Sequence, residues 1–454
     1  MKKDYLEMMR QGRALTFSQL LLMTIRLSIP TIMAQISIII MEYIDEAMVG
    51  RLGAEATASI GLVSSTTWLF GGLCHSIGIG FSVLVAQKIG AGDDAGARRL
   101  TKQGMVFSLL FSLCLSAVAI GISPFLPKWL GGDEAILKDA SAYFLVFALV
   151  IPFRQLNTMA ASFLQSSGET KIPGILETLA CASDVGFNYI FIYRFSLGVT
   201  GAAIGSAMSE IVLLPPMLYF LFTKNKHLKL VKGEKFCFVA GEIKQAVRIA
   251  APTALEQMIT SSAYITSMRI VAPLGSVSVA AHSLAISAEG FCYMPGFGIA
   301  AAASTMIGQS IGAKREELRV KLSYITTAFG MALMGITGII MYFIAPQVMR
   351  LLTPVTAVSA LGAAVLRIEV FAEPLFAASI VATGIFRGAG DTLVPSVMNL
   401  VSMWGVRIPL SAYLARTQGL KGVWIAMLIE LCLRGSVFLI RLVFKNRKIK
   451  RIIS

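Results

Sequence analysis

Two acidic groupings lie inside stretches of the chain that are otherwise apolar. The first, in IIIMEYIDEAMVGRLG, contains Glu42, Asp45 and Glu46. On a helix, Glu42 neighbours the residues three and four positions later, so these carboxylates are expected to lie close together. Like charges repel at such distances, which suits a site that gains and loses a proton. The alternative is that this acidic run lies in water at a helix end.

The second grouping is Asp184 and Asn188, one helical turn apart in CASDVGFNYIFIY. Ser206, in the neighbouring apolar stretch, adds a hydroxyl. Oxygen ligands at this spacing can bind a hard cation or hold a proton beside an amide. The alternative is that Asp184 is a hydrogen-bonded residue of helix packing.

Enzymatic and metal chemistry have little support in the sequence. It contains no HExxH motif, no nucleophile elbow and no Walker A sequence. His282 stands alone and is expected to be a packing residue. The cysteines are single and scattered, so we expect neither a metal site nor disulfides. They are Cys74, Cys114, Cys181, Cys237, Cys292 and Cys432. We therefore predict no catalytic residues, no metal, no cofactor and no enzymatic activity.

The amino-acid composition indicates the environment in which these acidic groups lie. Of 454 residues, 56% are hydrophobic and 14% charged, against about 25% charged in ordinary soluble domains. The mean hydropathy is +0.74. The net charge of +15 is concentrated in short segments between apolar stretches, among them Lys2, Lys3, Lys232 and Lys235. This pattern indicates cytoplasmic loops of a membrane protein and argues against nucleic-acid binding.

Twelve apolar stretches are long enough to cross a bilayer, which takes about 20 residues. They lie at 28–50, 55–90, 101–125, 136–166, 172–193, 199–223, 246–271, 276–311, 322–350, 358–386, 393–414 and 418–444. Because these stretches lack the alternation of polar and apolar residues found in β-barrel strands, they are predicted to be helices. An even number of spans puts both termini on one side, and the basic loops make that side cytoplasmic.

A repeat at one offset organises these stretches. Arg26–Pro30–Thr31–Gln35 recurs as Arg248–Pro252–Thr253–Gln257, each 222 positions later. Gly168 likewise corresponds to Gly390. Six spans per repeat predict parallel halves, an arrangement used by transporters that alternate access around a cavity. We predict an all-α integral membrane protein with twelve transmembrane helices in two pseudo-symmetric six-helix bundles. The predicted lobes are 1–222 and 245–454, joined by a cytoplasmic linker at 223–244.

The acidic groupings are not repeated. At the offset of 222, Asp45 corresponds to Ser267 and Asp184 to Val406. The second half instead carries Glu and Arg in comparable number, which favours buried pairs that hold the bundle together. Secondary acidic or substrate contacts are expected at Glu42, Glu256, Glu289 and Glu373, because a carboxylate in a membrane span needs a partner, water or a function.

The chain resembles the multidrug and toxic compound extrusion (MATE) family over nearly its whole length. The motifs that carry the resemblance are IDEAMVGRLG, LVAQKIGAGDDAGAR, SSGETKIP, APTALEQ, LGSVSVAAHSLA, TMIGQSIGAK and FRGAGDTLVP. The resemblance implies a twelve-helix antiporter that exports cationic or amphipathic drugs against inward proton or sodium flow. It also implies a coupling-cation site made of Asp45, Asp184, Asn188 and Ser206.

Two departures from the family pattern bear on coupling. The family presents an Asn followed one turn later by an Asp on the fifth helix, whereas Asp184 precedes Asn188 here. The acidic positions of the sodium-dependent branch correspond to Thr260 and Phe376. We therefore expect coupling through the first lobe, by protons in preference to sodium.

The alternative from the same superfamily is a flippase for lipid-linked precursors or polysaccharides. Such proteins line their cavity with Arg, whereas the spans of this first half are acidic. The expected location is the cytoplasmic (inner) membrane of a bacterium. The expected partners of this monomer are drug-like small molecules, the coupling cation (H+, alternatively Na+) and the lipid bilayer.

Overall fold

The computed structural model describes residues 5–231, 233–234 and 236–453, with side chains omitted at Ala54, Ile452 and Ile453. Lys2, Lys3, Lys232 and Lys235 lie outside the described residues. The described part is helical and contains no strand. Its α-helices are α1 Tyr5–Arg10, α2 Phe17–Gly50, α3 Ala54–Gly90, α4 Asp94–Ile122, α5 Leu126–Trp129, α6 Glu134–Ser166, α7 Lys171–Tyr189, α8 Gly198–Tyr219, α9 Ala240–Val271, α10 Ser276–Gly312, α11 Glu316–Leu352, α12 Thr356–Glu369, α13 Glu373–Gly388, α14 Leu393–Ser402 and α15 Ile408–Ile453.

Five short segments of other helical type join or extend these helices. Three are π-helical turns, at Ile190–Arg194, Phe220–Lys224 and Met403–Arg407. Two are 3-10 turns, at Ala272–Leu274 and Val370–Ala372. The first π turn continues α7 from Ile190, two residues beyond Asn188, and such turns often occur at functional sites.

Within the described residues, nine helical segments are long and apolar enough to cross a membrane. The difference from the twelve predicted stretches has three physical causes. The stretch at 246–271 lies in α9, which carries charged residues such as Arg248, Glu256 and Arg269. The stretch at 358–386 is divided by the 3-10 turn between α12 and α13. The last two stretches run together as Leu393–Arg451, across a kink at Gly419.

The chain divides into two compact units. The N-terminal unit is Ile36–Ala254, and the C-terminal unit is Met1–Gln35 with Leu255–Ser454. The helices α2 and α9 are each divided between the units. Nothing in this division tests the predicted lobe boundaries at 222 and 245, which follow the sequence repeat and stay a prediction.

Each unit has its own apolar core. In the N-terminal unit, Phe81, Phe163 and Leu164 are almost wholly buried in one cluster. In the C-terminal unit, Trp424 is 0% exposed among residues of α10, α12 and α15. Outward-facing positions remain apolar as well, for example Leu110 on α4 and Ile339 on α11. Helices that are apolar on both faces suit a lipid surrounding.

The repeat is visible in the backbone. Gly53 and Gly275, which are 222 positions apart, precede α3 and α10 with φ of 119° and 96°. Gly168 and Gly390 also share a positive φ, 91° and 74°. L-residues with a side chain rarely adopt this region, so glycine is required at the same turns of both halves.

Candidate functional site

Three helices of the N-terminal unit supply the predicted site. Asp45 lies in the part of α2 that belongs to this unit, Asp184 and Asn188 lie in α7, and Ser206 lies in α8. The spacing of four places Asp184 and Asn188 on one face of α7. The structure therefore brings these four sequence-predicted residues together.

Asn188 is the centre of the arrangement. Its Nδ2 donates to Asp45 Oδ1 at 2.8 Å and to Asp184 Oδ2 at 2.9 Å. The carboxyl groups of Asp45 and Asp184 also interact electrostatically. Asp184 and Asn188 are each 1% exposed, whereas Asp45 is partly exposed. Asp45 is therefore the more accessible of the two carboxylates.

Ser209 supplies a second hydroxyl to the site, which the sequence did not lead us to predict. Ser209 Oγ lies 3.1 Å from Asp184 Oδ1, to which it donates, and 2.8 Å from the Ser206 backbone oxygen. The Ser206 side chain also interacts electrostatically with Asp184. Ser209 follows Ser206 by three positions, so the same helix face could have indicated it.

Close packing of α7 against α8 makes this geometry possible. Gly205 lies against Asn188, and a Cβ at Gly205 would collide with the side-chain oxygen and backbone of Asn188. Gly201, one turn earlier, lies equally close to the backbone of Phe191. Small residues four apart let the backbones of two membrane helices approach.

The arrangement suits a proton or a small monovalent cation. Two carboxylates in contact repel when both are charged, and a proton or cation between them relieves the repulsion. Asn188 Oδ1 is buried and accepts no hydrogen bond from a described residue, so it is an available oxygen ligand. Among the described residues, no group of three or more His, Cys, Asp or Glu side chains could hold a metal centre.

Glu42 lies one turn before Asp45 on α2 and is half-buried, whereas Glu46 is exposed. Glu42 interacts electrostatically with both Glu46 and Arg154 of α6. The N-terminal unit therefore carries further carboxylates beside the Asp45 and Asp184 pair.

The other predicted acidic residues lie in the C-terminal unit, where Glu289 and Glu373 interact electrostatically with each other. Glu256 of α9 accepts hydrogen bonds from Ser396 Oγ at 2.7 Å and from Asn399 Nδ2 at 2.6 Å. Arg387 Nη2 lies 3.7 Å from its Oε2. Glu256 therefore ties α9 to α14 within its unit.

Glu289 and Glu373 are buried, with exposures of 5% and 0%. Arg407 and Arg434 interact electrostatically with Glu289. The Cys292 thiol lies beside Glu373. His282 Nδ1 accepts from Trp424 Nε1 at 3.1 Å, which is the contact of a packing residue.

A family model described as MatE matches the chain twice, over residues 30–190 and 252–413. The two matches begin 222 positions apart, the offset of the sequence repeat. The chain is 24% identical over 428 residues to the "Probable multidrug resistance protein NorM" of Thermotoga maritima, covering 92% of this chain and 90% of that protein. It is 26% identical over 442 residues to a protein of the same name from Halalkalibacterium halodurans, covering 93% and 94%.

Solved structures show the same fold. An outward-facing multidrug resistance MATE family transporter of the MOP superfamily superposes with a TM-score of 0.91 at 21% identity, covering 99% of each chain. A Vibrio cholerae MATE transporter, VcmN, superposes with a TM-score of 0.89 at 20% identity, covering 95% of this chain and 98% of that chain. The predicted fold class, an all-α membrane protein with twelve helices in two repeats, is confirmed.

Proposed function

The chain belongs to the MatE family, and from this premise we propose that it is a secondary active antiporter for export of cationic or amphipathic small molecules. Export is driven by inward flow of H+, with Na+ as the alternative coupling ion, through alternating access. The support from relatives is the multidrug resistance that their names record. The protein acts as a transporter and not as an enzyme, in the cytoplasmic membrane of a bacterium with both termini cytoplasmic.

One observation carries the proposal: two carboxylates from different helices share a single amide donor. Asn188 Nδ2 can donate to Asp45 and Asp184 at once, at 2.8 and 2.9 Å. When Asp45 is protonated, the charge of Asp184 is held by Asn188 and Ser209; when Asp184 is protonated, the charge of Asp45 is held by Asn188. When both are ionised, their repulsion favours separation of α2 from α7. Proton binding therefore has different energies in the two arrangements, which is what coupling requires.

The first experiment tests the coupling site. Asp45→Asn and Asp184→Asn are each expected to abolish drug resistance in an efflux-deficient host, because neither variant can take up and release a proton at the changed position. Expression is measured alongside resistance. Glu55→Gln is the matched control, since Glu55 is an exposed acidic residue at the start of α3. Normal resistance in both Asp variants would refute the proposed site.

The second experiment identifies the coupling ion. Purified protein in liposomes is given a pH gradient alone or a sodium gradient alone, and export of a cationic dye is measured. The proton proposal expects export under the pH gradient. Export under the sodium gradient but not under the pH gradient would show that the coupling ion is Na+ and not H+. Movement of a labelled lipid-linked sugar, with no movement of dye, would instead support a flippase.

A further inference from the structure

The C-terminal part of α15 has two opposite faces. Phe438 and Leu442 are 0% and 2% exposed in the apolar core of the C-terminal unit, and Asn446, one turn later, is still only 3% exposed. Packing therefore fixes the rotation of the helix about its axis as far as Asn446. On the opposite face, exposed apolar residues recur at intervals of three and four, which forms a lipid-facing stripe. The stripe consists of Leu433, Val437, Ile440 and Phe444.

Three basic residues continue the lipid-facing stripe beyond Phe444. Arg447, Lys448 and Arg451 follow Phe444 by three, four and seven positions, so they lie on the same helix face. All three are exposed, and we call them the tail cations. At a rise of about 1.5 Å per residue, they lie about 4.5 to 10.5 Å beyond Phe444 along the helix axis. The headgroup region of a bilayer leaflet is about 5 to 7.5 Å thick. A phospholipid whose chains cover the stripe therefore has its phosphate at the level of the tail cations.

The protein itself does not neutralise the tail cations. Glu430 is the last acidic residue of the chain. Nearer the membrane on α15, Arg441 Nη2 and Lys445 Nζ both lie 2.7 Å from Asp391 Oδ2. Among the residues that the structure describes, the side chains of the tail cations form no ion pair and no hydrogen bond. Their charges are therefore available to a partner outside the chain.

The basic residues at the start of α4 are arranged differently. Lys102 Nζ lies 3.2 Å from Glu234 Oε2, and Arg98 Nε donates to Glu234 Oε1 at 2.7 Å. Arg99 is paired with Glu242. Charges that only orient a span in the membrane need to be near its end but need no particular helix face. The tail cations, by contrast, are unpaired and share the face that lipid covers.

We propose that the tail cations form a binding surface for the anionic headgroups of phospholipids in the leaflet around this end of α15. In the proposed orientation this is the cytoplasmic leaflet. Arginine binds a phosphate in two parallel hydrogen bonds, and lysine binds it as a compact point charge. Basic segments directly next to a membrane helix are attracted to anionic lipids for this reason. A zwitterionic headgroup binds less well, because its own cation repels the tail cations.

The test measures lipid selectivity at the stripe itself. Phe444→Trp places a fluorophore on the stripe, and the full-length protein is reconstituted into bilayers of phosphatidylcholine and phosphatidylglycerol. One lipid at a time carries brominated chains, which quench a tryptophan that they touch. The chain has four tryptophans of its own, so the quenching is taken as the difference from protein without the substitution. We expect a preference for phosphatidylglycerol of about fivefold or more at low salt.

The variant that tests the tail cations combines Arg447→Gln, Lys448→Gln and Arg451→Gln in the Phe444→Trp protein. Its preference for phosphatidylglycerol is expected to fall to within about twofold of unity. The matched control is Lys450→Gln, because Lys450 is an exposed cation of the same segment that lies off the stripe. This control is expected to keep the preference of its parent.

A salt series decides the question without any change to the tail cations. At about 1 M salt the Debye length is about 3 Å, so the preference in the Phe444→Trp protein should fall towards unity. Equal affinity for the two lipids at low salt would overturn the inference, as expected if the true partner were an acidic protein or a nucleic acid. A preference that persists at high salt, or in the folded triple variant, would also overturn it. Transport is not measured, so the result is independent of the proposed export function.

Discussion

Asn188 shows how one amide can organise two acids. The family pattern places an Asn before an Asp on this helix, whereas here the Asp comes first. The exchange keeps one carboxylate on α7 and leaves the amide in contact with both Asp45 and Asp184. An amide has a donor and an acceptor on one rigid plane, so Nδ2 of Asn188 binds the two carboxylates while its Oδ1 lies against Gly205 of α8.

Asp391 is a carboxylate outside the membrane spans that is also bound by more than one donor. It lies between α13 and α14 and accepts from Arg441 Nη2 and Lys445 Nζ, each at 2.7 Å. Burial acts to raise the pKa of Asp391, but the hydrogen bonds from Lys445 and Arg441 outweigh it and lower the pKa below its ordinary value. The ionised form is therefore the one that stabilises this end of α15.

We predict that Asp391→Asn lowers the free energy of unfolding at neutral pH by about 1–2 kcal/mol, because two charge-assisted hydrogen bonds lose their acceptor charge. A depressed pKa in the folded state contributes stability above the unfolded pKa of about 3.9, and this is lost as the pH falls further. The gap between wild type and variant should therefore close below about pH 4.

The measurement is the thermal unfolding midpoint in detergent across a pH series. Asp133→Asn serves as the control, because the exposed Asp133 makes no side-chain cap bond at the start of α6. A gap that stays constant from pH 7 to low pH would contradict the role of the Asp391 charge.

At the level of helices, the geometry of the proposed coupling site depends on how closely α7 and α8 pack. Gly201 and Gly205 leave no space for a side chain at the contact. Ser209, one turn beyond Gly205, is thereby brought to Asp184. The small residues of α8 thus set the distance at which its hydroxyls meet the acid of α7.

We predict that Gly205→Ala impairs dye export strongly, because the added methyl group must displace Asn188 from its position between Asp45 and Asp184. A shift of about 1 Å in a positioned group can lower a rate about a hundredfold. Export in liposomes and thermal stability are measured together. Gly186→Ala is the matched control on α7, since a Cβ there would meet nothing within 4 Å. Equal export by the two variants would show that Asn188 needs no such close approach.

The two halves share a scaffold and differ in their acids. Glycine turns recur at the offset of 222, and the family model matches once in each half. The C-terminal unit nevertheless has Ser267 and Val406 where the other half has Asp45 and Asp184. Its Glu256 is already bound by Ser396 and Asn399. The proposed coupling therefore belongs to one half of a repeated architecture.

This asymmetry predicts that Glu373→Gln keeps proton-driven dye export, whereas Asp45→Asn loses it. Glu373 is 0% exposed, and its carboxylate oxygens accept no N–H or O–H hydrogen bond from a described residue. Replacing such a group by a neutral one of equal size removes a buried ionisable group, so stability is expected to be unchanged or increased. Export under a pH gradient and the unfolding midpoint are the measurements. Loss of export in a stable Glu373→Gln protein would place a coupling role in the C-terminal unit.

Much of the fold was determined by local properties of the sequence. Hydrophobicity and length identify spans because lipid accepts only long apolar segments. The repeat is visible because Pro and Gly must recur wherever the backbone bends alike. Asp45 and Asp184 could be identified as candidates because a carboxylate within a membrane span is costly and therefore needs a partner, water or a function.

Contacts between helices were decided by the tertiary structure alone. Periodicity shows which residues share a face, but it does not determine how far each helix rotates about its axis or how closely two helices pack. Ser209 joins the site because α8 approaches α7 at Gly205. Glu256, expected as a substrate contact, lies within reach of Ser396 and Asn399 only once α9 meets α14. Arg154 comes to face Glu210 for the same reason.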